Sequence, residues 1–420
     1  MSARPPLIAR ALMGSPLRRP LNGCLFVVGL LLLLGLAFLG HLALWILEPL
    51  PAALTFVGAA LLAAMASIPL LLYLRYLDRR EPETLWLFVG AIVWGMVVST
   101  GVSAIFNAIG SGAINLSLDL LSLGSGTPLA DILAAALIAP PVEEAAKGVA
   151  LLALLLFMRA EFDNLRDGLI YGALLGLGFN IAEYALYVMQ GYLESGSAPF
   201  ATQFVGRFVF LGLNSHMLWT SLCGAGVGLA RQTPRRWLAV VAPIVGYCLA
   251  TLGHALNNSI GLFVLAANLQ AQGYSLEHSG IEAIPASALW VAAIRMNITV
   301  QSFFYLLWFG IVWWSARQEL AIIRTYLADE VGTSVTPSEY EAAKQDRIFG
   351  RGRSVRGAGG ALVVAQNELA YRKWHLALEG GTPDGDALVQ AWRQDIAALR
   401  ERARSQEPGA RSQEPGARSQ

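Results

Sequence analysis

The sequence predicts an all-α protein, a polytopic integral membrane helical bundle of about eight transmembrane helices with a small helical extension toward the C-terminus. Three observations predict it. The 420 residues are 55% hydrophobic and only 14% charged, where a soluble globular chain carries about 25% charged residues. The mean hydropathy is +0.52. The apolar residues gather into runs of about 20 or more, the length at which a helix crosses a hydrocarbon core of about 30 Å. A net charge of +1 offers no basic field for nucleic acid, so the expected partner is the lipid bilayer.

The expected spans lie near 24–47, 52–74, 85–107, 129–158, 168–190, 205–230, 237–265 and 287–315. The first follows a basic tail, residues 1–23, with Arg4, Arg10, Arg18 and Arg19. Its apolar run exceeds the ~7–15 residues of a signal-peptide core, so it reads as a retained helix. The fourth contains Pro140-Pro141, and proline removes a helix donor, which predicts a kink or break there. Loop charges set the orientation. Arg75, Arg79 and Arg80 follow span two, Arg159 and Arg166 follow span four, and Arg231, Arg235 and Arg236 follow span six. The intervening loops have no Lys or Arg. Both termini are therefore expected on the cytoplasmic side of the cell membrane.

The membrane domain, residues 24–316, is expected to give way to a cytoplasmic helical extension, 317–404. There Ser338 and Glu341 stand at capping-box spacing. Residues 346–359 are rich in Arg and Gly and read as a linker, and helices near 360–379 and 385–404 read as a hairpin. The last stretch, 405–420, repeats Ala-Arg-Ser-Gln-Glu-Pro-Gly. Without apolar content it cannot offset ordering entropy, and disorder is expected. Cys24, Cys223 and Cys248 sit singly in apolar runs, a pattern of buried thiols rather than of disulfides or a cysteine metal site. Gly168, Gly172 and Gly176, with Gly224 and Gly228, have the spacing that lets helix backbones approach in lipid.

The informative residues are the polar ones inside these spans. A charge at mid-bilayer costs at least about 2.5–3.5 kcal/mol on insertion scales, and such residues are paired or functional. Span four holds Glu143, Glu144 and Lys147, and span five Glu183. Span six holds Arg207 and His216, span seven His254, Asn257 and Asn258, and span eight Arg295. At 1.5 Å rise per residue, Glu144, Glu183 and His216 lie about 21–22 Å from the cytoplasmic ends of their helices, and His254 about 25 Å. Four helices thus bring polar groups to one level. Lys147 can reach either glutamate at i,i+4 or i,i+3, but it neutralises only one. The other is left to hold a proton or a metal, or to act as a base. Arg207 and Arg295 are expected counter-charges. His254 and Asn258 share a face, so Asn258 can support the imidazole or hydrogen-bond an oxyanion. His41, His278 and His375 have no evident partners.

Several chemistries are absent from the sequence. It has no His-Glu-x-x-His pair, no Gly-x-Ser-x-Gly elbow and no Gly-rich phosphate loop. What remains is water activated by a carboxylate. Two routes stay open: a His₂Glu zinc site drawn from Glu144, Glu183, His216 and His254, or a metal-free site with glutamate as base and His and Asn as stabilisers. Which of Glu143 and Glu144 is the base also stays open.

The residues resemble a known family. Glu143-Glu144-Ala-Ala-Lys147 is similar to the Glu-Glu-x-x-Lys motif of PrsW-type intramembrane proteases, distant relatives of the CAAX prenyl endopeptidases and bacteriocin-processing membrane proteases. Phe179-x-x-x-Glu183 resembles the second motif, Arg207 followed by His216-Met-Leu-Trp-Thr the third, and His254-Ala-Leu-Asn257-Asn258 the fourth. Together they cover about residues 80–320. The resemblance implies an intramembrane endopeptidase that cleaves membrane-anchored protein substrates, such as anti-sigma factors, in a site-1-type step. It also implies metallopeptidase chemistry. Catalytic roles would fall to Glu143, Glu144, Glu183, His216, His254 and Asn258, with Lys147 and Arg207 as supporting charges. Two other classes compete: a proton- or ion-coupled transporter, which predicts an inverted repeat that the sequence does not display, and a catalytically silent membrane scaffold acting through its tail. The sequence sets no oligomeric state.

Overall fold

The computed structural model describes residues 15–45, 48–274, 284–348 and 358–405. Most of the basic tail, His278, the core of the Arg/Gly linker and nearly all of the repeat tail lie outside the described residues. Among the described residues every extended element is helical, and the one β contact is an isolated bridge between Val331 and Val335. The chain divides into two compact units, Met1–Leu74 with Glu83–Gly310, and Arg75–Pro82 with Ile311–Gln420.

The first unit is the membrane bundle. It contains α1 (Pro20–Trp45), α2 (Leu50–Ala66), most of α3 (Ile68–Leu77) and α4 (Leu85–Leu120). Then come α5 (Pro128–Leu133), α6 (Ala139–Phe157), α7 (Leu165–Ser195) and α8 (Phe200–Phe208). It continues with α9 (His216–Gln232), α10 (Arg236–Ala271) and the first part of α11 (Ala286–Leu327). Among the described residues five helices are long and apolar enough to cross a membrane: α1, α4, α7, α10 and α11. The α2–α3 pair, bent by 41°, makes a sixth if it is one span. The bend follows from Pro69, which has no N–H for the carbonyl four residues back.

Two of the eight expected spans thus differ from simple apolar helices, and the reason is in their sequences. The segment expected at 129–158 carries Glu143, Glu144 and Lys147 in one turn and a half. It begins as α5, passes through a π turn at Ala134–Ile138 and continues as α6. The segment expected at 205–230 is interrupted. After α8 the backbone makes a 3₁₀ turn, Val209–Gly212, in which Phe210 (φ 54°), Leu211 (φ 60°) and Gly212 (φ 88°) are left-handed. Two consecutive bulky residues with positive φ are strained. Asn214 ties the loop down by donating to the Gly206 carbonyl at 3.0 Å, and helix resumes at His216. The expected loop at 108–128 is also mostly helix, since α4 runs on to Leu120.

At the centre lies α7, buried along most of its length. Asn164 and Asp167 form a capping box at its start, and the Leu165 N–H donates to the Gln232 side chain at the end of α9, at 3.1 Å. The two helices run antiparallel and touch backbone to backbone. A Cβ on Gly168 would stand 2.1 Å from the Gly224 carbonyl oxygen, and one on Gly176 2.2 Å from that of His216. The glycine pattern read from the sequence therefore sets the seat of α9, and with it the position of His216. Outward faces are apolar: Leu21, Leu25, Leu31, Leu32 and Phe38 of α1 are exposed, as a lipid-facing helix requires.

The second unit is also helical. Its helices are α12 (Pro337–Lys344), α13 (Ala358–Glu379) and α14 (Ala387–Ser405), with the last part of α11. Leu362, Ala365, Leu369 and Leu376 of α13 pack with Val389 and Ile396 of α14. The capping box of α12 lies two residues before the expected one, at Thr336 and Glu339. Pro337 accounts for the difference, since proline is favoured at the first helical position and makes Thr336 the cap. Segment Arg75–Pro82 joins this unit through Arg80, which bonds Glu319 at 2.9 Å and Asp346 at 3.1 Å.

Candidate active site

Three π turns surround the polar cluster: Trp94–Ser99 in α4, Ala134–Ile138 before α6, and Asn257–Gly261 in α10. Such turns free backbone groups and recur at functional sites. The second has a specific cause. In a π turn the Ala135 carbonyl would be answered five residues on, at Pro140, which has no N–H. The Asn258 amide, from the third π turn, donates to Ala135 O instead, at 3.0 Å. Asn258 also accepts from Asn257 at 3.3 Å. The first π turn is bound by His41, whose Nε2 lies 2.8 Å from Val97 O, a partner the sequence did not suggest.

Glu143, Glu144 and Lys147 project from α6, Phe179 and Glu183 from α7, His216 and Thr220 from α9, and His254 from α10. They meet inside the bundle. Glu144 and Lys147 are fully buried, His216 and His254 are 2% exposed, and Glu143 is 5% exposed. Lys147 Nζ donates to Glu144 Oε1 at 2.7 Å and to His216 Nδ1 at 2.9 Å, and lies 4.1 Å from the Phe179 ring centre. An ammonium has only donors, so His216 Nδ1 accepts. Its Nε2–H then donates to Glu183 Oε2 at 2.6 Å. Arg207 Nη1 reaches the same oxygen at 2.6 Å. Thr220 donates to Glu144 Oε2 at 2.8 Å.

These contacts separate the three carboxylates. Glu144 has an ammonium on one oxygen and a hydroxyl on the other, and Glu183 is paired with Arg207 and His216. Among the described residues Glu143 has only the Asn107 amide on Oε1, at 3.1 Å. Its Oε2 is buried without a hydrogen-bond partner among the described residues. It faces His254 Nε2 at 3.9 Å and His216 Nδ1 at 4.0 Å. The His254 ring is fixed by stacking on Trp219, with centroids 4.5 Å apart and planes 9° from parallel. Trp219 in turn donates to Gln301 at 3.2 Å. Against three acids stand two cations, Lys147 and Arg207, so the cluster lacks one positive charge if both imidazoles are neutral.

Glu143, His216 and His254 each offer a ligand atom, all within 4.8 Å of one another. Two imidazoles and a carboxylate form the donor set of a catalytic zinc site with an open position, and the unpartnered Glu143 Oε2 points into it, so these residues fit a divalent metal. His216 would have to be released by Lys147 to ligate through Nδ1. This trio shares His216 and His254 with the set expected from the sequence. It uses Glu143 where that set had Glu144 and Glu183, which are engaged by Lys147, Thr220, Arg207 and His216. Arg295 is exposed and makes no ion pair among the described residues. Asn107 was not singled out from the sequence, and Trp219 and Thr220 stood there only as part of the third motif, without a role. Thr220 had a signal in its position one turn beyond His216, and Asn107 in being a lone amide among apolar neighbours.

Residues 83–279 match the family model described as PrsW family intramembrane metalloprotease, and every residue of the cluster falls within that segment. The resemblance read from the four motifs is thereby shown for this part of the chain, and it supports an intramembrane protease with a protein substrate. No curated protein and no solved structure matches the chain.

Proposed function

We propose that the protein is an intramembrane endopeptidase in which Glu143 is the working carboxylate and Glu144 a structural one. The observation that carries this reading is the free Oε2 of Glu143, buried between two histidines, while both oxygens of Glu144 are taken. In the proposed reaction Glu143 Oε2 accepts a proton from water as the water oxygen attacks the scissile carbonyl carbon. The carboxyl then passes that proton to the amine as the C–N bond breaks. His254 lines the oxyanion side, while Lys147 on one face and Glu183 with Arg207 on the other fix the His216 tautomer, its one N–H turned to Glu183. Asn258 holds two π turns in register beneath His254. A divalent ion, zinc by its donor set, would take Glu143 Oε2 as a ligand with His216 and His254 in place of its role as base, and would supply Lewis-acid polarisation and a more acidic bound water.

The substrate class is a membrane-anchored protein, and a site-1-type cut of an anti-sigma factor belongs to the same reading. We place the chain in the cell membrane with both termini cytoplasmic, as the arginine alternation requires. The α5–α6 and α8–α9 segments complete the count to eight crossings around the site, and residues 317–404 form a cytoplasmic extension. The test is cleavage of a co-expressed, tagged single-span membrane protein, read with the metal content of the purified full-length chain. His254→Ala is expected to abolish cleavage and lower bound zinc from about one per chain, since such sites need three protein ligands. Wild-type cleavage by His254→Ala would overturn the reading.

A further inference from the structure

From Ser99 to Asn115, α4 carries a polar residue at every fourth position: Ser99, Ser103, Asn107, Ser111 and Asn115. Residues spaced by four form a continuous ridge along a helix. The ridge starts at the α4–α5 loop, where Asn115 Oδ1 accepts from the Gly126 N–H at 2.7 Å, and passes inward. Asn115, Ser111 and Asn107 are partly exposed, Ser103 is 2% exposed and Ser99 is fully buried. Midway along it Asn107 donates to Glu143 Oε1.

The inner hydroxyls differ from several others in the bundle. Helical Thr55, Ser67, Ser117 and Ser259 satisfy themselves on the carbonyl four residues earlier, as hydroxyls in helices commonly do. Ser99 and Ser103 do not. The Gly95 carbonyl available to Ser99 is taken by Thr100 at 3.1 Å. The oxygens of Ser99, Ser103, Asn107 (Oδ1) and Glu143 (Oε2) are all buried without a partner among the described residues. Buried polar atoms are costly unless bonded, and a run of polar side chains that opens at a loop, meets a carboxylate at Asn107 and continues past it to Ser99 is a surface that small polar molecules wet.

We propose that this ridge is the path by which water reaches the free oxygen of Glu143, with Asn107 as the positioning residue that turns that oxygen toward the histidines. The purpose of the path rests on the hydrolytic reading, but its existence does not. The test uses the full-length chain in membranes, with Cys24, Cys223 and Cys248 replaced by alanine. Single substitutions Ser103→Cys and Ser111→Cys are compared with Phe106→Cys and Ile109→Cys, which occupy exposed apolar positions of the same helix. The probe is a charged, membrane-impermeant methanethiosulfonate. Thiols react as thiolates in water, so Ser103→Cys and Ser111→Cys should be modified at least about tenfold faster than the two controls. Labelling in denaturing detergent verifies that each thiol is present. Adding Ser103→Leu to Ser99→Cys should slow its modification, and adding Ser103→Ala should not. A Ser103→Cys thiol as inert as that of Phe106→Cys would overturn the proposal. Cleavage is scored separately: a wet ridge without cleavage sinks the peptidase and leaves the path, and cleavage with a dry ridge does the reverse.

Discussion

In the second unit Glu330 is 1% exposed and accepts from both Lys373, at 2.9 Å, and Arg393, at 2.8 Å. In the first unit Glu143 is 5% exposed and is given one neutral amide. Both are buried acids on helices of one chain. Where burial serves folding, as at Glu330, or where a half-buried acid such as Glu339 meets Arg400, the carboxylate is matched with guanidinium or ammonium groups. Where a carboxylate stays open beside two imidazoles, matching has been withheld, and the membrane makes that more costly than in water. The comparison separates Glu143 even from its neighbour Glu144, which is satisfied in the manner of the second unit.

The comparison can be broken first at Lys147. Removing one partner of a buried ion pair typically costs about 3–5 kcal/mol, so Lys147→Met should sharply lower the thermal stability and membrane yield of the full chain. A Lys147→Met protein as stable as wild type would mean that Glu144 is not held by Lys147. Next is the seat of α9. In Gly176→Leu the side chain would collide with the His216 carbonyl, and overpacking of this kind costs about 1–3 kcal/mol. Cleavage should fall further than stability, because His216 moves with the helix. Equal, small losses in both would show that the glycine serves packing alone.

The smallest effect is expected in the second unit, at Asp386. Arg372 bonds its carboxylate, and the Leu388 and Val389 N–H groups at the start of α14 donate to it. Together they outweigh partial burial and hold its pKa below the ordinary aspartate value. An acid with a lowered folded pKa contributes stability above its unfolded pKa, near 4, and loses it as pH falls through the folded value. Asparagine can still accept from those N–H groups, so Asp386→Asn should cost only the charge paired with Arg372, about 0.2–1 kcal/mol at neutral pH. The deficit should shrink below about pH 4 as the wild-type acid protonates, and cleavage should be unchanged. A deficit independent of pH would contradict the assignment to charge.

Much of this was legible in the sequence. Apolar runs located α1, α4, α10 and α11, which face outward in part, and α7, which is buried among the other helices, and Gly168, Gly172 and Gly176 announced the close approach of α9. Counting 1.5 Å per residue placed Glu144, Glu183, His216 and His254 at one level, and the structure brings them together. What could not be read is who pairs with whom. Lys147 could reach either glutamate by spacing, and only the arrival of Thr220 and His216 from α9 decides for Glu144. The break before His216 was signalled by Gly212 and by Asn214-Ser215, residues that favour turns and helix starts, but the apolar run Phe208–Leu211 masked it. Asn107 came from a stretch of α4 with no charge near it to mark it, Asp119 lying at the helix's far end. The bond from Asn258 to Ala135 needed a π turn, which leaves no periodicity in sequence.

The central claim is that Glu143, not Glu144, is the open and working carboxylate. The most direct measurement pairs cleavage of a membrane-anchored substrate with thermal stability for Glu143→Gln in the full-length protein. Loss of a general base lowers rate by about 10²–10⁴-fold. The account predicts that loss with a stability equal to or above wild type, since the change removes an unmatched buried charge. Cleavage at the wild-type rate would contradict it, and so would a stability loss as large as that of Lys147→Met.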